Sequence, residues 1–151
     1  MGSLTLRFEP VDERYGELVA TVDSDGFAGV GSAWLSHSEV LEFTDRLSEY
    51  PLGSSPPPSI SGGLGHKTQQ PQTDLSLILT PDDPLGGISV LVELTGPSSS
   101  ANGRIPYSKV QTGFVVSYMD VERFQRSLRR LIRGGLGEAV LTRQTATLDT
   151  F

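Results

Sequence analysis

The sequence predicts an α+β fold in which one six-stranded antiparallel sheet carries two helices on one face, in the order βββα-βββα. The same helical pattern occurs twice in the chain, 81 residues apart. Each copy directly follows an alternating, strand-like run of residues. Short connections between such runs favour antiparallel neighbours. Together these observations predict a layer of strands covered by a layer of helices.

The helical pattern is defined by apolar residues at spacings of three and four. The first copy contains Val40, Phe43, Leu47 and Tyr50, and the second contains Val121, Phe124, Leu128 and Leu131. Such spacings place the side chains on one face of a helix, which must be buried. The strands provide the largest apolar surface for it. The outer strands do not align at the same offset, so duplication of an ancestral half is one interpretation only.

The first half contains three strand patterns and one helix. The strands are Leu4–Phe8, Glu17–Ser24 and Phe27–Trp34. Asp25-Gly26 is a typical hairpin turn between the last two. Gly29 and Gly31 indicate a bulge or the close approach of another element. Ser36 and Glu39 form a capping box that predicts the start of the helix.

The second half repeats this order with different connections. Its strand patterns are Leu75–Leu79, Ile88–Thr95 and Val110–Tyr118. Asp120 is predicted to be the N-cap of the second helix. Gly134-Gly135 is predicted to end that helix.

We predict that residues 1–151 form a single domain. Residues 52–72 are rich in proline, glycine and serine and contain almost nothing to bury, which predicts a mobile loop. The tail is only weakly patterned, and we expect it to be weakly ordered from about residue 142.

Charge and composition limit the functional classes. The net charge is -6, with 14 acids and four bases in residues 1–100 but four acids and eight bases in residues 101–151. The acidic body argues against general nucleic-acid binding. No apolar run is long enough to span a bilayer, so no membrane association is expected. The absence of cysteine and of a signal peptide pattern favours a cytoplasmic location.

Opposite charges on the two helices are the candidate binding groups. The first helix carries Glu39, Glu42, Asp45 and Glu49, and the second carries Arg126, Arg130 and Arg133 on one face. If the helices lie side by side, the acids face the arginines. Otherwise the acids form a docking surface for a basic partner, and the arginines form a stripe for phosphate or for an acidic partner.

No residue set identifies a reaction. Asp23 to Gly26 resembles the start of a calcium loop but lacks its remaining ligands, so a hairpin turn is the better interpretation. His37 and His66 have no companion ligands. Asp82-Asp83 is typical of a turn, and Gly62 to Lys67 lacks the spacing of a phosphate loop. We therefore predict no catalytic, cofactor-binding or metal-binding residue.

A family resemblance adds a further expectation. It rests on the early strands and Trp34, then Ser36, Glu39, Val40, Phe43 and Leu47, the strands with Leu75, Leu77, Val90 and Val92, and Tyr118-Met119-Asp120 leading into Phe124 and Leu128. In these features the chain resembles small bacterial domains that include the WapI-like immunity protein family. The unpatterned loop at 52–72 departs from that pattern. The resemblance implies a protein without catalytic residues that works by binding another protein.

The resulting hypothesis is a non-enzymatic protein-interaction module. Its specific form is an immunity-type protein that binds a bacterial toxin. The alternatives are a small hydrolase-like enzyme that uses Asp, Glu or Ser, and a nucleic-acid-binding protein that uses the arginines of the second helix. Self-association is a further expectation, because an open sheet leaves two edges and one bare face.

Overall fold

A computed structural model of the chain describes residues 2–49, 56–63, 74–82, 86–95, 109–134 and 137–143. The first half consists of β1 (Gly2–Pro10), β2 (Tyr15–Ser24), β3 (Phe27–Ser36), α1 (His37–Arg46) and β4 (Ser59–Gly62). The second half consists of β5 (Leu75–Pro81), β6 (Gly87–Thr95), β7 (Lys109–Ser117), α2 (Tyr118–Ile132) and β8 (Ala139–Thr142). Each half therefore has the order βββαβ.

The predicted single sheet of six strands is wrong. The described strands form two antiparallel sheets of four strands each. The first sheet has the order β3-β2-β1-β8, and the second has the order β4-β5-β6-β7. The class α+β and the two helices agree with the prediction, but the order βββα-βββα omits the fourth strand of each half.

Each half completes its sheet with the fourth strand of the other half. In the first sheet β8 pairs with β1, so that Leu4 lies opposite Leu141. In the second sheet β4 pairs with β5, so that Leu77 lies opposite Ile60. Both added strands lie beside the first strand of the half that receives them. The two halves are thus related by an approximate two-fold exchange of strands.

The two exchanged strands were missed because each is only four residues long. A run this short cannot display the alternation that identifies a strand. Residues 59–62 fall inside the segment predicted to be a loop, and residues 139–142 end where the tail is predicted to become weakly ordered, at about residue 142. The remainder of the predicted loop, except residues 56–58 and Gly63, and the tail after residue 143 lie outside the described residues.

The hydrophobic core lies between the inner faces of both sheets and the apolar sides of both helices. α1 packs against β3 and β4, α2 packs against β8, β1 and β7, and the helices contact each other. The sequence predicted that both helices lie on one face of a single sheet, and the structure contradicts this. Phe124 and Leu128 of α2 are completely buried, and their burial joins the second helix to the core.

Glycines allow the two sheets to approach closely. A Cβ atom on Gly29 would lie 2.5 Å from Cγ1 of Val110, and one on Gly31 would lie 3.0 Å from the carbonyl oxygen of Asp74. The close approach expected from these two glycines is therefore confirmed. On β1, two strands from β3, a Cβ atom on Gly2 would meet the ring of Phe114. Between these glycines the hydroxyl of Ser24 on β2 donates to the carbonyl oxygen of Gly113 at 3.2 Å, so β7 crosses the first sheet over small residues.

Both helices begin with a capping box. The predicted box of Ser36 and Glu39 is confirmed, because the Glu39 amide donates to Ser36 Oγ at 3.1 Å and the Ser36 amide donates to Glu39 Oε1 at 2.9 Å. The prediction for α2 was wrong. Its N-cap is Ser117, and Asp120 occupies the third helical position of the box. The carboxylate of Asp120 faces the helix start in either case, which explains the error.

Candidate protein-interaction surface

The predicted acids of α1 have four different environments. Glu39 belongs to the capping box, Glu49 pairs with Arg46 at 3.2 Å, and Asp45 pairs with Arg129 of α2 at 3.2 Å. Glu42 is exposed and forms no ion pair with another described residue. Three of these four carboxylates thus have partners within the protein, and Glu49 lies beyond the end of α1 at Arg46. The four predicted acids therefore do not form a uniform acidic docking surface.

The predicted arginines of α2 are similarly divided. Arg126 pairs with Glu122 of the same helix at 3.0 Å, and Arg130 donates to Ser127 Oγ at 3.4 Å. Arg133 is the C-cap residue and is exposed. The expectation that acids of one helix face arginines of the other is met, among the described residues, by Asp45 and Arg129. Arg129 was not among the predicted binding residues, because its partner depends on how the helices cross.

The histidine at the start of α1 lies in an apolar contact. The ring of His37 packs edge-on against Phe8, with ring centroids 5.0 Å apart. Its Nε2 atom is buried and has no hydrogen-bond partner among the described residues. The nearby turn is fixed by Asp12, whose Oδ1 accepts hydrogen bonds from the backbone amides of Arg14 and Tyr15. Those two hydrogen bonds lower the pKa of Asp12 below 3.8.

The other predicted features are ordinary turns where the structure describes them. Asp25 and Gly26 have positive φ angles of 52° and 92°, as a two-residue hairpin requires. Gly62 is the last residue of β4. The rest of the glycine-rich run, residues 64–67 with His66, lies outside the described residues, and so does Asp83. Within the described ranges, no three metal-ligating side chains form a group that could hold a metal ion.

The outer face of the first sheet brings carboxylates beside exposed aromatic rings. Glu9 pairs with Glu17 across β1 and β2, and Glu17 pairs with Trp34 across β2 and β3. Tyr15 lies next to this row on β2. We call Glu9, Tyr15, Glu17 and Trp34 the acidic aromatic surface. Trp34 is 38% exposed and Tyr15 is 49% exposed, so both rings are accessible to a partner.

Charge is unevenly distributed over this surface. Glu9 pairs with Arg7 at 3.4 Å, whereas Glu17 forms no ion pair with any residue that the structure describes. Residues 2–49, which form the first three strands and α1, contain ten acidic and three basic residues. Such an excess attracts a cationic partner over about 8 Å at physiological salt.

The edge of β3 adjoins the same surface. In a two-residue hairpin the residues that flank the turn form a hydrogen-bonded pair, and the pairs then alternate. Ala28, Val30 and Ser32 therefore direct their backbone groups away from β2. None of these groups bonds another described residue outside the strand ladders. Trp34 has the same orientation, but its amide donates to the carbonyl oxygen of Gly63 at 3.3 Å. Part of β3 thus presents a strand edge.

The acidic aromatic surface was not among the predicted binding residues. The signal for it was present, because the Asp25-Gly26 turn fixes the register of β2 against β3 and so places Glu17 opposite Trp34. The alternation of both strands also places these side chains outside the core. The sequence analysis named binding residues only on the charged helix faces and none on the exposed sheet face, and most of those helix charges have partners within the protein.

The outer face of the second sheet differs in charge. Its outward positions are Ser59, Ser61, Ser76, Ile78, Thr80, Ser89, Leu91, Glu93, Lys109, Gln111, Gly113, Val115 and Ser117. We call this set the neutral face, because its two charged residues, Glu93 and Lys109, form an ion pair with each other. A shallow cavity of about 320 Å³ lies between Ile78, Leu91 and Gln111 on this face.

Comparison with known proteins gives no family assignment. No protein-family model and no curated protein matches the chain. The resemblance to immunity proteins therefore stays a prediction. No helix in the described part of the chain combines the length and the apolar character that are needed to cross a membrane.

Proposed function

We propose that this protein is a binding module for another protein, and that a partner of basic character docks on the acidic aromatic surface. The observation that carries this proposal is the position of Glu17 beside Trp34 on an outward face. A carboxylate without an ion pair next to an exposed indole suits a lysine or arginine side chain, because the cation gains both an ion pair and a cation–π contact.

The edge of β3 gives the partner a second means of attachment. The outward backbone groups of Ala28, Val30 and Ser32 can pair with an extended segment of the partner, which adds main-chain hydrogen bonds to the side-chain contacts. Such a segment lies one strand spacing from Trp34 and two spacings, about 10 Å, from Glu17, so a long basic side chain on it can reach across the indole toward that carboxylate. Strand addition gives affinity in this arrangement, and the surface charge gives selectivity.

The narrower form of this proposal is an immunity-type protein that neutralises a basic toxin. The family resemblance and the acidic first half both support it. Coexpression of the protein with the partner it captures tests this form: neutralisation predicts that cells survive a partner that is otherwise toxic. A captured partner that is harmless by itself would contradict the toxin form and leave the binding module intact.

Two charge reversals test the docking surface. Tagged protein is used to capture partners from the source cell, and Glu17→Lys is compared with the matched variant Glu42→Lys on α1. Both variants change the net charge equally, and both sites lack an ion pair among the described residues. We expect Glu17→Lys to lose the partner and Glu42→Lys to retain it. Loss in the Glu42→Lys variant alone would instead place the partner on α1.

The captured partner is then titrated as a purified protein. Trp34 is the only tryptophan of the chain, so its fluorescence reports directly on this surface. We expect a saturable fluorescence change, and weaker binding as salt is raised, because screening reduces the charge attraction. A partner that binds without changing Trp34 fluorescence, and with no salt dependence, would refute the proposed surface.

A further inference from the structure

The neutral face of the second sheet has a different composition from the rest of the surface. Thirteen outward positions include two charged residues, which neutralise each other, and the centre is formed by Ile78, Leu91 and Val115. Leu91 is 48% exposed and Val115 is 38% exposed. The core of a protein interface is typically depleted in charge in this way.

The distribution of charge decides which face a second copy can occupy. Two copies that each carry -6 repel one another, and a contact through the outer face of the first sheet would bring Glu9, Glu17 and Asp23 of one copy against the same set of carboxylates of the other, with Arg7 as the cation among them. Only a neutral surface lets two copies approach without bringing like charges together. We propose that a second copy of this chain occupies the neutral face, so that the protein forms a symmetric dimer through its second sheets.

The shape of the face suits a symmetric contact. The cavity of about 320 Å³ is lined by Ser76, Ile78, Leu91, Val92, Glu93, Gln111 and Thr112. Its wall includes Leu91, the most exposed aliphatic residue of the face. In a two-fold arrangement, Leu91 of each copy enters the cavity of the other, so that one contact is made twice. Gly113 stands opposite Leu91 on β7 and adds no side chain to obstruct this approach.

The face is just large enough for a specific interface. Strands about 4.8 Å apart with a rise of about 3.3 Å per residue give a four-stranded face of roughly 500 Å². Two such faces bury roughly 1,000 Å², which is at the lower limit for a specific interface. We therefore expect a reversible dimer with a dissociation constant on the order of micromolar.

Sedimentation of the purified protein tests the dimer without any other partner, so its outcome is independent of the proposed function. The protein is measured from micromolar to sub-millimolar concentration, together with Leu91→Glu and the matched variant Val140→Glu. Val140 is an exposed β-strand valine on the outer face of the first sheet, away from the acidic aromatic surface and the edge of β3. Circular dichroism verifies that each variant is folded.

We expect the wild-type protein and Val140→Glu to form dimers, and Leu91→Glu to associate at least about tenfold more weakly, because each new carboxylate enters the cavity of the other copy, where Glu93 already lies. A wild-type protein that stays monomeric throughout the range would overturn the inference. So would a Leu91→Glu variant that dimerises like the wild type, or a Val140→Glu variant that is equally weakened.

Discussion

The side-chain amide of Gln125 donates a hydrogen bond to the backbone carbonyl of Thr44 at 2.7 Å, across the contact between the two helices. These residues are 81 positions apart, which is the offset of the helical repeat. The two equivalent positions of the repeat therefore meet in the molecule. Both are buried, and Gln125 also bonds Ser48 Oγ. A buried polar contact thus joins the helices of the two halves.

Replacement of Gln125 by leucine tests this contact. The variant removes both hydrogen bonds and replaces the amide with an apolar side chain of similar size. We therefore expect the free energy of unfolding to fall by about 1–2 kcal/mol. Urea denaturation measures the change. The neighbouring variant Arg126→Leu removes a surface ion pair and is expected to change stability by less than about 0.5 kcal/mol. Equal stability of Gln125→Leu and the wild type would contradict a structural role for the amide.

The approach of β7 to β3 is tested at Gly29. Gly29→Ala places a methyl group 2.5 Å from Cγ1 of Val110, and we expect it to lower stability by about 1–3 kcal/mol through overpacking. The double variant Gly29→Ala, Val110→Ala removes the colliding atoms. We expect its loss of stability to be smaller than the sum of the losses of the two single variants. Strict additivity in denaturation experiments would show that the two residues do not touch.

The corrected start of α2 leads to a different expectation for Ser117. Its hydroxyl oxygen accepts a hydrogen bond from the backbone amide of Asp120 at 3.2 Å. We therefore expect Ser117→Ala to lower the free energy of unfolding by about 0.5–2 kcal/mol. Ser127→Ala, within the same helix, serves as the control and is expected to be neutral or slightly stabilising because alanine favours helix. If Ser117→Ala were as stable as the wild type under thermal or urea denaturation, the helix would begin at another residue.

The turn between β1 and β2 predicts a pH dependence. The amides of Arg14 and Tyr15 lower the pKa of Asp12 below 3.8 in the folded protein. The folded pKa is lower than the unfolded one, so the stabilisation is complete above the unfolded pKa and is lost as pH falls through the folded pKa. We expect the stability difference between wild type and Asp12→Ala to shrink upon acidification in that range.

An NMR titration of the Asp12 carboxyl group provides the direct measurement. Its midpoint is expected below 3.8 in the folded protein. A midpoint at or above that value would contradict the hydrogen bonds of the turn. A stability difference that increases as pH falls would contradict the direction of the effect.

Local signals explain which parts of the fold could be predicted. The capping box of Ser36 and Glu39 and the Asp25-Gly26 turn are determined by neighbouring residues, and both were predicted correctly. Alternation identified the six longer strands for the same reason. The sheet order depends on the pairing of β4 and β8 with distant strands, which residues within the four-residue strands do not encode by themselves.

The same distinction between local and distant interactions applies to the candidate surface. That Glu17 and Trp34 point outward could be derived from alternation, and their pairing could be derived from the hairpin register. The pairing of Asp45 with Arg129 could not, because it depends on the crossing of two helices that are distant in sequence. The helix charges were therefore assigned to a partner, although most of them are used within the fold.

The exchange of strands between the halves is the central structural claim, and a cysteine pair across β1 and β8 tests it most directly. The chain has no cysteine of its own. Thr5 lies opposite Val140 on the outer face of the first sheet. The backbone groups of Thr5 point toward β2, so the two residues form a non-hydrogen-bonded pair with Cα atoms about 4.5 Å apart, within the range of a disulfide.

Mild oxidation of the variant Thr5→Cys, Val140→Cys is expected to close an intramolecular disulfide in the monomer and to raise the denaturation midpoint. The control variant Val30→Cys, Val140→Cys places its cysteines in the same sheet three strand spacings apart, roughly 14 Å, and is expected to remain reduced. Failure of the first pair to close, or equally rapid closure of the control pair, would contradict the exchanged arrangement of β8.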